Sequence, residues 1–153
     1  MKSTEVLTVH RALQGLIGTD CPEKLMLTLN LKILGKIATE IHEVASDLYD
    51  QFADKDEEGK VKYYEREVTV DKIGNKEMGK EKRISDLKKY AEYMVESKKL
   101  DVRDWKISLQ RVTKAKMEKF MNAKSTDGNL VLPLLDVIIV DSIDEPKQTK
   151  EKA

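Results

Sequence analysis

The chain has 153 residues, 37% of them charged, 40% hydrophobic and 5% aromatic, with no net charge. That length suits one domain with a real core, and the balance points to a soluble, helix-rich protein with a modest core, not a disordered chain. The single cysteine, Cys21, excludes an intrachain disulfide and fits a reducing compartment.

The start shows no apolar signal segment: Lys2 is followed by Ser3 and Thr4. "TEVLTVHRALQGLIG" predicts a helix capped by Ser3 or Thr4, with Val6, Val9, Leu13, Leu16 and Ile17 at helical spacing. After "GTDCPEK", Asp20 and Glu23 form a candidate capping box, and Pro22 fits a first helical turn. Leu27, Leu31, Leu34, Ala38, Ile41, Ala45, Leu48 and Phe52 then step by four and three, the period of a helix packed on other helices. A helix over about 22–53 would be roughly 48 Å long. Leu29, Ile33, Ile37 and Val44 widen its apolar face beyond a two-helix seam.

"KVKYYEREVTVDKI" is β-rich and predicts a small strand insertion over about 60–73; "GNKEMGKEKR" reads as a charged loop. Ser85 is the candidate cap of "DLKKYAEYMVESKKL", where Leu87, Tyr90, Ala91 and Met94 form an apolar stripe. Over 103–112, Trp105, Ile107 and Leu109 alternate as in a strand, whereas Trp105, Leu109 and Val112 suit a helix; both readings stay open. "TKAKMEKFMNAK" reads as helix and "STDGN" as a turn. "LVLPLLDVIIVDSI" is the last buried element, with Pro133 opening a short helix. The expected fold is α+β and mainly α: a helical hairpin with one long helix, the strand insertion and further helices. One domain is expected over 1–143, with a disordered tail over 144–153. No apolar stretch is long enough to span a membrane.

Four patterns raise chemistry. "DKDEEGKVKYYE", Asp54–Glu65, matches a calcium loop: Asp54, Asp56 and Glu58 at the first three ligand positions, Gly59 at the turn, Val61 eighth and Glu65 twelfth. Glu58 is a methylene too long, however, "REVTV" favours a strand where an exit helix belongs, and no second loop exists. A charged turn is the preferred reading, with a single calcium loop the minor alternative. "GNKEMGKE" satisfies G-x-x-x-x-G-K over Gly74, Gly79 and Lys80, but Glu81 replaces the magnesium-holding hydroxyl and Glu77 adds charge where phosphates would lie. Glu40, Glu43, Asp47 and Asp50 run along the long helix, but His42 is two residues from Glu40 and points elsewhere, so a solvated face is expected. His10, His42 and Cys21 have no triad-like arrangement around them. The expectation is therefore no catalytic, metal or cofactor residue.

Charge is unevenly spread: residues 1–75 sum to −4, 76–124 to +7 and 125–153 to −3. The basic middle, with Lys88, Lys89, Lys98, Lys99, Arg103, Lys106, Arg111, Lys114, Lys116 and Lys119 among Tyr90, Tyr93 and Trp105, leaves nucleic acid as the alternative partner. Glu92, Glu96, Asp101, Asp104 and Glu118 dilute that field, and pairing with the chain's own acids is the simpler reading.

The order "ALQGL", a long helix just after a proline, "KDEEGK", a charged middle and a closing "LPLLDVIIV" resembles a family of small, functionally unassigned proteins of tailed bacteriophages. The similarity covers residues 9–65 and 129–140. It implies a viral protein of the host cytoplasm or the virion, carries over no catalytic residue, and makes "DEEG" a plain turn. Composition, the wide apolar face and the resemblance together lead to a non-enzymatic protein-interaction protein. Its partner would be a protein, either a second copy or a host or phage protein, in a homo-oligomer or obligate complex.

Overall fold

The computed structural model describes residues 1–123 and 127–143; the expected tail over 144–153 and part of the "STDGN" turn lie outside them. The fold is α+β and mainly α. In chain order it has α1 (Ser3–Ile17), α2 (Lys24–Phe52), β1 (Tyr63–Thr69), β2 (Lys76–Lys82), α3 (Leu87–Asp101), β3 (Val112–Thr113), α4 (Lys114–Met121), α5 (Gly128–Val131), a 3-10 turn (Leu132–Leu134) and β4 (Ile139–Val140). These form two compact units, one of residues 1–39 with the chain from 104 onward, the other of residues 40–103.

The first unit holds nearly all of the buried core. Val6, Val9, Leu13 and Leu16 of α1, Leu27 and Leu34 of α2, and Met117, Leu134, Ile138 and Ile139 from the C-terminal half are all buried. The heptad-like stripe of α2 faces inward as its period predicts. Leu31, Ala45, Leu48 and Phe52 are half-buried and Leu27, Leu34, Ala38 and Ile41 fully so. The widening residues divide: Ile33 and Ile37 are half-covered, while Leu29 and Val44 are exposed.

Both predicted caps of the first two helices are displaced. α1 is capped at Lys2, whose N–H donates to Glu5 (3.3 Å). Ser3 is buried because its Oγ accepts the indole N–H of Trp105 (2.8 Å), and the Trp105 N–H donates to the Met1 carbonyl (2.8 Å). α2 begins at Lys24, not at the expected proline, because Glu23 has φ 57 and its carbonyl accepts the first helical N–H, from Leu27. No Asp20–Glu23 capping box forms; Glu23 pairs instead with Lys116 (3.7 Å).

Residues 105–111 are neither helix nor ladder strand. They run extended with Trp105, Ile107 and Leu109 half-buried and their neighbours exposed, so the alternation was the true signal. One side chain holds this segment. Asn30, fully buried on α2, donates from Nδ2 to the Gln110 carbonyl and accepts from the Gln110 N–H, both at 2.7 Å. The pair does what a neighbouring strand would do. β3 then joins β4 in a short parallel pair, Val112 opposite Ile139 and Thr113 opposite Val140. Pro133 sits in the first turn of the 3-10 segment, as expected.

The second unit contributes only Ile41 and Ala53 to the fully buried apolar side chains. β1 and β2 form an antiparallel hairpin in the register Tyr63–Lys82 to Thr69–Lys76, so the segment read as a charged loop is a strand. The β-rich arm over 60–73 contains β1 as expected, and its pairing partner β2 is the stretch expected to be a loop. Beside it, Tyr93 packs edge-on against Tyr49 (centroids 5.2 Å) and Phe52 (6.2 Å).

Replacing Asn30 tests the first unit. Asn30→Ala removes two buried hydrogen bonds and should cost about 1–3 kcal/mol in urea unfolding. Asn30→Asp should cost more at neutral pH, because it turns a carboxylate toward the Gln110 carbonyl in a buried site. Equal stability of all three proteins would show that the extended segment is held by other contacts.

Candidate functional site

Asp54 lies two residues past the end of α2 and fastens the second unit together. Its N–H donates to the Arg83 carbonyl (2.8 Å) and its carbonyl accepts the Lys62 N–H (2.7 Å). Its carboxylate accepts the Ser85 N–H (3.0 Å), the Ser85 hydroxyl and the Tyr64 hydroxyl (2.8 Å). One residue thus ties the end of α2, both strands and the approach to α3. Ser85 is spent on this bond, which is why the cap of α3 is Asp86, accepting from Lys88 and Lys89 N–H, and not Ser85. Those hydrogen bonds, the Ser85 hydroxyl foremost, hold the Asp54 carboxyl well below its ordinary range, at about 2.

Of the calcium-loop residues, Asp54 therefore faces Ser85 and Tyr64, while Asp56 closes a tight turn. Its Oδ1 accepts the Glu58 and Lys60 N–H groups, and Gly59, at φ 79, donates to the Asp56 carbonyl. Lys55 bridges Val61 across that turn, and Glu65 lies beyond it on β1. The chain leaves the loop as a strand, where a calcium loop leaves as a helix. Among the described residues, no group of three or more His, Cys, Asp or Glu side chains could hold a metal ion.

The phosphate-loop look-alike is likewise a hairpin. Asp71 and Gly74 (φ 91) repeat the Asp56–Gly59 turn: Asp71 Oδ1 accepts the Ile73 and Asn75 N–H groups. Gly79 lies inside β2 opposite Arg66, and a Cβ there would meet Val68 Cγ2 at 2.9 Å. The backbone N–H groups of this stretch serve a ladder, not an anion. On the long helix, Glu40, Glu43 and Asp47 are exposed and Asp50 pairs with Lys82 (2.6 Å). His42 is exposed, His10 lies against Gly35, and Cys21 is buried.

The basic middle is drawn on by acids from elsewhere in the chain. Lys82 takes Asp50, Lys116 takes Glu23 and Lys114 takes Asp141 (2.9 Å). Glu81 holds both Arg66 and Arg83.

What remains is an apolar surface, and part of it is the stripe read on α3. The predicted stripe of α3 faces solvent: Leu87 is 85% exposed, and Tyr90, Ala91, Met94 and Val95 are exposed with it. The inward side of α3 is instead Tyr93, Glu96, Ser97 and Leu100, all half-buried. The helix is apolar on one side and docks by another, because the Tyr49–Phe52–Tyr93 ring cluster sets its rotation. Apolar side chains are exposed along the hairpin too, at Val68, Val70, Ile73 and Met78. Leu25, Leu29, Leu132 and Ile143 apart, every exposed large apolar side chain among the described residues belongs to residues 40–103. Within the same unit, Val44, Leu48, Leu100 and Val102 floor an open groove of about 620 Å³, rimmed by Asp47, Glu96, Lys99 and Arg103.

No family model, curated protein or solved structure matches this chain. Among the described residues no helix is long and apolar enough to cross a membrane.

Three outcomes follow from Asp54. A carboxylate whose folded pKa lies below its unfolded one stabilises above the unfolded value, and that contribution is lost as pH falls through the folded value. The hairpin should therefore loosen as pH falls from about 4 toward 2, seen as lower amide protection at Lys62 and Asp54 relative to the intrinsic exchange rate at each pH. Ser85→Ala should move the Asp54 carboxyl titration, followed by carbon NMR, up toward its ordinary range, and by more than Tyr64→Phe does. Millimolar calcium should leave the melting temperature unchanged, since the Asp54 oxygens already have donors. A rise that disappears in Asp54→Ala would reverse that reading.

Proposed function

We propose that the chain is a non-enzymatic protein-interaction protein that presents residues 40–103 to its partner. The observation that carries this is the exposed face of α3, where Leu87, Tyr90, Ala91, Met94 and Val95 form one contiguous helical stripe. Leaving such a stripe in water forfeits the burial that each side chain would gain, and patches of this kind mark partner surfaces. The second unit is built to display it: a polar hub and a few rings hold it together, while Leu87, Met94 and Val95 of α3 and Val68, Val70, Ile73 and Met78 of the hairpin are exposed.

The resemblance of residues 9–65 and 129–140 to a phage family supports a phage origin, with the protein in the host cytoplasm or the virion. It would serve there as an assembly component or a modulator of a host protein. Nucleic acid is the second reading, resting on the net charge of residues 76–124. The ion pairs of Lys82, Lys114 and Lys116 with acids of the same chain speak against it.

Affinity capture from infected bacteria tests the proposal, with the wild-type chain and Leu87→Glu/Met94→Glu as parallel baits. One protein retained by the wild type and lost from the variant is expected, with both baits equally folded by circular dichroism. Capture that ignores the substitutions, or a salt-sensitive mobility shift of DNA, would overturn it.

A further inference from the structure

One stretch of the first unit is held as a strand with no full strand beside it. From Trp105 to Gln110 the side chains alternate half-buried and exposed, as on a pleated ribbon. Gln110 turns its N–H and carbonyl to Asn30 of α2. Trp105 turns its own to Met1. The Trp105 N–H donates to the Met1 carbonyl (2.8 Å), and the Met1 amino group donates to the Trp105 carbonyl (3.0 Å). Two bonds exchanged within one residue pair, next to the antiparallel bridge of Lys2 with Asp104, make the first rung of an antiparallel ladder.

The ladder stops at that rung, although the extended segment runs on. Hydrogen-bonding positions recur at every second residue along one edge, so Ile107 and Leu109 present their N–H and carbonyl groups on the edge where Met1 sits. Among the described residues these four groups have no hydrogen-bond partner. Met1, Ile107, Ser108, Leu109, Arg111 and Val137 line a cleft of about 360 Å³ at this edge. Donors and acceptors that alternate at ladder spacing beside open space are complementary to another extended backbone.

We infer that residues 107–111 take up an extended segment of a different protein as an added antiparallel strand. Its carboxyl-terminal end lies nearest Met1 and ends or turns away there, since Met1 already holds Trp105. Residues directly opposite one another share a face of the sheet. The incoming residues opposite Ile107 and Leu109 therefore lie beside those half-buried side chains and are apolar, with polar residues between them.

A second copy of this chain fits the edge poorly. In each register that would engage both Ile107 and Leu109 on the two copies, the other copy's chain runs on past Ile107 into the place of Met1. It arrives there as strand or as the first turn of α4, which starts at Lys114 and is wider than the spacing between strands. A segment that can stop at Met1 meets no such obstacle. This surface belongs to the first unit and is independent of the α3 stripe of the second.

The test uses the full chain and a fluorescein-labelled peptide, Lys-Thr-Val-Thr-Val-Thr-Lys, whose valines suit the positions opposite Ile107 and Leu109. Saturable binding is expected in fluorescence anisotropy. N-methylation of both valines removes the two N–H groups that face the edge and should weaken binding by about tenfold or more. N-methylation of two threonines, whose N–H groups face away, should change it by less than about twofold. In amide exchange the peptide should raise protection at Ile107 and Leu109 and leave Ser108 unchanged. Leu87→Glu/Met94→Glu should leave the affinity as it is.

Absence of saturable binding at millimolar peptide overturns the inference, as does equal weakening by the two methylation patterns. Protection that appears elsewhere in the chain, or binding lost with Leu87→Glu/Met94→Glu, overturns it as well. A dimer in light scattering that protects Ile107 and Leu109 without peptide would replace the foreign strand with a second copy.

Discussion

The second unit depends on a single carboxylate. Asp54 takes three donors on its side chain and pairs its own N–H and carbonyl with the two strands of the hairpin. Because Asp54 bonds Lys62 and Arg83 at the foot of the ladder and α3 begins just beyond Ser85, moving Asp54 would displace both at once. A cluster of half-buried rings adds contact but little closed core, and a two-stranded hairpin on its own is marginal in water. The polar hub therefore does for residues 40–103 what packed leucines do for the rest of the chain. A unit made this way can leave its aliphatic side chains outside, free for another surface.

The first unit follows the opposite logic. Its core is apolar, and the one buried side-chain amide among the described residues, Asn30, is satisfied on both edges by Gln110. The polar residue is set into a leucine-rich helix because the segment it faces is extended and has no strand beside it. An aliphatic residue at position 30 would pack, but it would leave that backbone without a partner. Burial and hydrogen bonding are thus separate instruments in this protein, each dominant in a different stretch.

Period was legible where one face of an element meets a core. The four-and-three steps of Leu27 through Phe52 place α2 within two residues of its ends, and the alternation at Trp105, Ile107 and Leu109 matches their burial. Caps were not legible, because Ser3, Asp20 and Ser85 were judged against their nearest helix. Ser3 and Ser85 answer to Trp105 and Asp54, each far away in sequence. β2 was missed because charged residues hid its alternation. The signal for it was there in a second Asp-x-x-Gly, "DKIG", of the same form as "DEEG". The α3 stripe was legible as an apolar face, but its exposure was not. Periodicity tells which side chains share a face, but not whether anything within the chain covers that face.

The paired turns carry a consequence for how this chain can diverge. One Asp-x-x-Gly turn closes the hairpin's base beside Asp54, and the other closes its tip at Asp71–Gly74. Each turn satisfies its own backbone through its own aspartate and so asks nothing of its neighbours. Between them, cross-strand partners such as Glu67–Met78 and Val68–Glu77 meet mainly one another. Residues can thus be gained or lost in matched pairs near the tip without altering the base, provided that each strand changes by an even number and keeps its faces. Related chains would then differ most in arm length, with the two aspartate turns as the fixed punctuation on either side.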